Sequence, residues 1–195
     1  TDLSQVEINC DNLSQLTLPD SLIKMPKSIE SKKLKQINIP KNEDTLGSIY
    51  AYNLEEFLVD PANKYFKSVD GVLFSEDTLL EYPYNSKLKN FKVPEGIKKI
   101  KKLGNSNLKS VKLPDSLEEI DSYALSHSSN LDTLNIPKNM SVLEDNEPAL
   151  DKLLSYCNEI KNITVDPDNK YYMIVDDAVY SKDYKKLFEY PQTTG

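Results

Sequence analysis

The sequence predicts a β-rich α+β solenoid: short coils stacked on one another, with a parallel strand row and two β-hairpins embedded in the stack. Three observations predict it. An apolar motif, L-x-x-L-x-L-P, recurs along the chain. Its usual step is 20 to 23 residues. A hairpin-like segment is written twice, as "NKYFKSVDGVLF" from Asn63 to Phe74 and as "NKYYMIVDDAVY" from Asn169 to Tyr180.

The motif starts at Leu13, Leu34, Leu54, Leu88, Leu108, Leu131 and Ile160, and the third and last copies carry Asp in place of Pro. Its fourth and sixth places alternate as a strand does, so both point inward. Pro has no amide to donate to a ladder, so it ends the strand and turns the chain. A second apolar pair follows several prolines: Leu22 and Met25, Ile97 and Ile100, Leu117 and Ile120, Met140 and Leu143. The coil after Pro40 has Glu43 at the first of these places, which predicts irregularity between Asn42 and Tyr50. One coil cannot bury its own apolar edge, whereas stacked coils can. An apolar fraction of 38% suits such a thin core.

Two steps are long, 34 and 29 residues, and each follows an Asp-variant motif. There the repeated hairpin is inserted. Asp70-Gly71 suits a type I′ turn, which needs positive φ. Asp176-Asp177 in the second copy predicts a looser or bulged turn, since Asp tolerates that region less well. A third short strand is expected near Leu79 to Tyr82 and Leu187 to Tyr190. The chain thus reads as one solenoid over residues 1–195, in two super-repeats of about 1–83 and 84–195. Helix is expected to be minor, near Ala149 to Tyr156. Leu3, Val6 and Ile8 imitate a motif ten residues before Leu13, in the manner of a truncated cap.

These motifs resemble the BspA-like class of leucine-rich repeats, found in bacterial and some protist surface proteins. "NCDNLSQLTLP" (Asn9 to Pro19), "SYCNEIKNITV" (Ser155 to Val165) and "VDGVLF" (Val69 to Phe74) carry the likeness. It covers nearly the whole chain. Asn105 and Ser128 replace the usual Cys in two coils. The resemblance implies a leucine-rich-repeat right-handed superhelix. It also implies a non-enzymatic protein, extracellular or at the cell surface of a bacterium, that binds a protein or glycan in adhesion or host contact. A spacer or repeat fragment of a larger surface protein, with no ligand of its own, is the alternative. An enzyme ranks third.

Composition restricts the partners. The net charge is −7 and the pI about 4.9, which disfavours nucleic acid. All 24 basic residues are Lys. Bidentate guanidinium forks are therefore absent. No apolar run approaches the length of a membrane span, so any membrane contact is expected through an anchor outside this chain. The sequence starts at Thr1 without a charged-then-apolar stretch, so a signal peptide is expected either to have been removed or never to have existed. Oligomeric state has no sequence signal.

No cofactor, catalytic set or metal site is expected. Cys10 and Cys157 each precede a motif by three residues, a place that faces the interior of the stack, and are expected to be buried, reduced and structural. His127 is expected in a surface turn. Asp166, Asp168 and Asn169 fail the calcium-loop pattern and read as turn residues. Tyr65, Phe66, Tyr82, Tyr84, Tyr171, Tyr172, Tyr184 and Tyr190 are expected mostly to pack the hairpins onto the stack.

The third and fifth motif places should face away from the core. They read Gln15/Thr17, Gln36/Asn38, Glu56/Leu58, Asn90/Lys92, Ser110/Lys112, Thr133/Asn135 and Asn162/Thr164. Lys92 and Lys112 then lie side by side, with Lys89 and Lys109 matched nearby. Two readings stand: a basic spot kept for an anionic partner, or lysine heads splayed into water and screened by salt. The ligand-binding candidates are Lys89, Lys92, Lys109, Lys112, Asn90 and Asn135.

Overall fold

The structure, a computed structural model, describes residues 1–144 and 147–189. Tyr190 lies outside them, as does the Leu143 side chain. The chain divides into two compact units. The first holds residues 1–76 and 80–87, the second 77–79 and 88–195.

In the first unit the motif strands are β2 (Gln15–Thr17), β4 (Gln36–Ile39) and β6 (Glu56–Val59). They form a parallel row in which Leu16, Ile37 and Phe57 stack in register. A second parallel row joins β1 (Glu7–Asn9), β3 (Ser28–Glu30) and β5 (Ser48–Tyr50), stacking Ile8, Ile29 and Ile49. Ile29, Ile37 and Phe57 are completely buried between the rows, worth about 1.5–3 kcal/mol each in transfer terms. Ile8, expected with Leu3 and Val6 to imitate a truncated motif, therefore belongs to the second row.

The irregular coil is real. Glu43 occupies the apolar place and is fully buried. Its Oε1 accepts from Thr45 N and Oγ1, while Oε2 has no partner. Gly47 then brings the chain against the coil beneath. A Cβ there would lie 1.9 Å from the Pro26 carbonyl oxygen.

The second unit repeats both rows. β9 (Thr78–Glu81), β11 (Lys99–Ile100) and β13 (Glu119–Ile120) stack Leu79, Ile100 and Ile120, with Thr78 and Leu79 of β9 belonging to this unit. β10 (Asn90–Lys92), β12 (Ser110–Lys112), β14 (Thr133–Ile136) and β17 (Asn162–Val165) form the longer row. Phe91, Val111, Leu134 and Ile163 are its inward teeth. Between β14 and β17 lie an antiparallel pair, β15 (Leu143–Glu144) and β16 (Glu147–Pro148), and one helical turn, α1 (Leu150–Leu153). The helix sits where helix was expected.

Each unit carries a hairpin: β7 (Lys67–Val69) with β8 (Val72–Ser75), and β18 (Tyr172–Val175) with β19 (Ala178–Ser181). Asp70 and Gly71 have φ of 53° and 78°, Asp176 and Asp177 of 49° and 63°. The second turn is thus as tight as the first, with Val175 opposite Ala178. The expected looseness does not occur, because both Asp residues accept the left-handed region. The irregularity falls instead between β19 and β20 (Leu187–Glu189), at Val179/Tyr180.

One asparagine ties each hairpin to the coil before it. Asn169 Nδ2 donates to the carbonyls of Pro137 and Met140, and its Oδ1 accepts from Tyr171 N and Tyr172 N. Asn63 repeats the pattern with Pro40, Glu43, Tyr65 and Phe66. Tyr172 is fully buried, its hydroxyl donating to the Val142 carbonyl and accepting from Val142 N. Burial pushes that phenol far above its ordinary range. Phe66 and Tyr82 are buried as expected, but Tyr65, Tyr84 and Tyr184 stand exposed.

Two substitutions check this account by chemical denaturation. Asn169→Ala leaves the Met140 carbonyl and the Tyr171 and Tyr172 amides without their partner, while the Pro137 carbonyl keeps Met140 N, and is expected to cost about 3 kcal/mol. Asp177→Gly relieves a left-handed Asp and is expected to gain about 1 kcal/mol.

Candidate functional site

The strand alternation that buries Phe91, Val111 and Leu134 turns the third and fifth motif places outward. In the second unit these places line a groove of about 570 Å³. Asn90, Lys92, Ser110, Lys112, Thr133, Asn135, Asn162 and Thr164 form its walls, over the backbone of the teeth. Two cations line it and no carboxylate does. Much of the wall is nevertheless carbon, to which lysine stems and threonine methyls can contribute beside the teeth.

Lys92 and Lys112 are in register on adjacent strands. Lys89 and Lys109 are neighbours at the second motif place, where Lys109 N donates to the Lys89 carbonyl at 2.6 Å. They flank the groove and do not line it. Among the described residues, none of these four ammonium groups is engaged in an ion pair or hydrogen bond. Asn90 Oδ1 accepts from Ser110 Oγ at 2.7 Å. Asn135 is spent on the scaffold. Its Nδ2 donates to the Leu113 carbonyl, and its Oδ1 accepts from Leu113 N.

The same places in the first unit are satisfied internally. At the third place Gln15 donates to Gln36, and Gln36 to Glu56. At the fifth, Asn38 Nδ2 donates to Thr17 Oγ1 at 3.0 Å. At the second, Lys35 meets Glu55 at 3.3 Å, and Lys87 shares that carboxylate at 3.4 Å. Both lysines hold the Glu55 carboxyl below its usual range, the Lys35 hydrogen bond most strongly. One strand geometry therefore makes a hydrogen-bonded third-place ladder in the first unit and, beside the Asn90–Ser110 bond, a like-charged pair at the fifth place in the second.

A sequence profile described as BspA type leucine rich repeat region matches six copies, over residues 8–77 and 82–193. The chain belongs to the BspA type leucine rich repeat family. No curated protein matches it. Among solved structures, a leucine-rich repeat protein from Eubacterium ventriosum aligns with a TM-score of 0.52 at 17% identity, over 81% of this chain and 55% of that one. The pneumococcal vaccine antigen PcpA gives 0.52 at 22% identity, over 81% and 52%. A leucine rich cell surface protein from Faecalibacterium prausnitzii gives 0.46 at 16%, over 80% and 60%. The first two likenesses show the fold. The chain spans about half the length of both structures.

Within this BspA type repeat the other candidates fall into structural places. Cys157 is buried, and its thiol donates to the Leu125 carbonyl at 3.3 Å. Cys10 is exposed, contrary to expectation. Cys10 follows directly on β1, an edge strand paired with β3 alone, so one side of its coil is uncovered. Ser31, one coil further, is 1% exposed. Both thiols are free.

His127 is exposed at φ 65° and stacks on Tyr156, ring centroids 4.6 Å apart. Asp166 Oδ1 accepts from Asp168 N, as a turn residue does. Among the described residues no group of three or more His, Cys, Asp or Glu could hold a metal. Sequence periodicity located the outward row but could not tell which side chains bond one another.

Lys112→Glu should turn the like-charged pair into an ion pair with Lys92. Urea unfolding is expected to show a gain of about 0.2–1 kcal/mol at low salt, disappearing near 1 M salt, where the screening length is about 3 Å.

Proposed function

We propose that this chain is a non-enzymatic binding protein, displayed at a cell surface or secreted, whose strand-face groove in the second unit contacts a protein or glycan partner. The observation that carries this reading is the charge arrangement. At the second and fifth motif places the first unit pairs Lys35 with Glu55 and Asn38 with Thr17, whereas the second sets Lys89 beside Lys109 and Lys92 beside Lys112; at the third place both units bond internally. Like charges in register are destabilising unless something anionic lies between them. Open groove geometry with preset polar groups suits binding. Chemistry would need a nucleophile with a base beside it, or a paired acid and base, and the groove lining has hydroxyls and lysines but no His, Cys or carboxylate.

Surface display is drawn by analogy from the family and from the antigen that shares the fold. A spacer role is favoured for the first unit alone, since its strand face is a closed hydrogen-bonded ladder. The net charge of −7 disfavours nucleic acid, whose binding draws on many simultaneous phosphate contacts, and leaves a local anion contact at the lysine pair.

An array of glycans and matrix proteins, probed with wild type and with Ser110→Trp, tests this. The indole fills the groove while the inward teeth stay unchanged. Binding is expected for wild type and its loss for the variant, with both retaining the same circular dichroism. Equal binding by the two would move the site off the groove.

A further inference from the structure

The groove supports a narrower assignment, which rests on the reading above. We infer that it takes an acidic polysaccharide, one carboxylate or sulfate group lying between the Lys92 and Lys112 ammonium groups. Adjacent strands lie about 4.8 Å apart, so these two heads can close on a single anion from either side. Lysine serves as a compact point charge and imposes no planar fork, so either kind of anion fits. Lys89 and Lys109 also lie side by side, but an odd offset of three residues turns them off this face and they do not line the groove. The groove itself crosses four strands, roughly 14 Å at that strand spacing, so a chain of sugar rings fills it better than a small acid does. Asp132 is the acidic neighbour in this ladder, its N donating to the Lys109 carbonyl at 2.9 Å, and it is not part of the groove wall.

The walls choose saccharide over peptide. A sugar ring has hydroxyl edges and C–H faces. The groove offers amides and hydroxyls from Asn90, Ser110, Asn162 and Thr164 beside the carbon of lysine stems and threonine methyls. A peptide partner gains most of its affinity from buried aromatic or aliphatic anchors. Here the apolar teeth that could receive one are closed off, with Phe91, Val111 and Leu134 at 4%, 4% and 2% exposure. No aromatic side chain faces the groove from the third and fifth motif places, so base stacking by single-stranded nucleic acid has no platform either.

The test uses the intact protein, immobilised, with four soluble probes at low and physiological salt: heparin (sulfated), polygalacturonate (carboxylated), dextran (neutral) and poly-glutamate. Heparin or polygalacturonate is expected to bind, dextran not, and poly-glutamate at least tenfold more weakly. Lys92→Gln/Lys112→Gln should weaken the acidic polysaccharide by on the order of tenfold or more. Lys98→Gln/Lys99→Gln should not, since those lysines pair with Glu118 and Glu119 on the other row. Equal loss in both double variants, equal binding of dextran, or preference for poly-glutamate overturns the assignment. Absence of binding to all four probes overturns it too. In those cases the groove reading still stands if Ser110→Trp abolishes the partner found on the array, and both fall if it does not.

Discussion

Parallel, in-register stacking of aliphatic side chains from successive coils is the constraint on which this structure depends. A coil of about twenty residues has no interior of its own. Ile37 is sealed because Leu16 and Phe57 lie on either side of it, and Val111 because Phe91 and Leu134 do. Slipping one strand by a single residue would exchange teeth for polar face. The register that buries the teeth also sets the outward side chains in columns, so fold and candidate site have one cause. Where a neighbour is lacking, shielding fails. Leu13 and Leu16 on the edge coil are only half-buried, and Cys10 is exposed at a place that is buried at Ser31, one coil further in.

The repeated hairpins answer to the same constraint. A hairpin inserted into a stack must be fixed to the coil before it, or it would swing as a loop. Asn63 and Asn169 do this with every hydrogen-bonding valence of one amide split between the carbonyls of the preceding coil and the amides of the incoming strand. In the second unit Tyr172 adds a second tie at Val142. Glu43 beside the first tie is a local conflict, a carboxylate at an apolar place with one oxygen unpartnered.

Much of this was legible in the sequence, because period and alternation are properties of residue type. The motif places named the teeth, the outward row and both hairpins. The second strand row was signalled by Ile100 and Ile120 after their prolines but was not assigned as strand, since two residues do not display an alternation. Exposure of Cys10 was not legible, because it depends on how many coils flank a place and not on which residue fills it. Nor was the tightness of the Asp176-Asp177 turn, decided by a small left-handed penalty. Asn169 read as a turn residue because its partners lie some thirty positions back in the chain. At the candidate site, columns of side chains could be inferred, but not their bonding: Asn135 looked available and is consumed by Leu113, whereas Lys92 and Lys112 looked crowded and are so.

Native-state hydrogen exchange, read amide by amide, tests the stacking most directly, because a strand paired on both sides opens only when the stack opens. The account predicts slowest exchange in β4, β12 and β14, the strands flanked on both sides, with clearly faster exchange in the edge strand β2. Uniform exchange along each row, or protection confined to the two hairpins while β4 and β12 exchange freely, would contradict it.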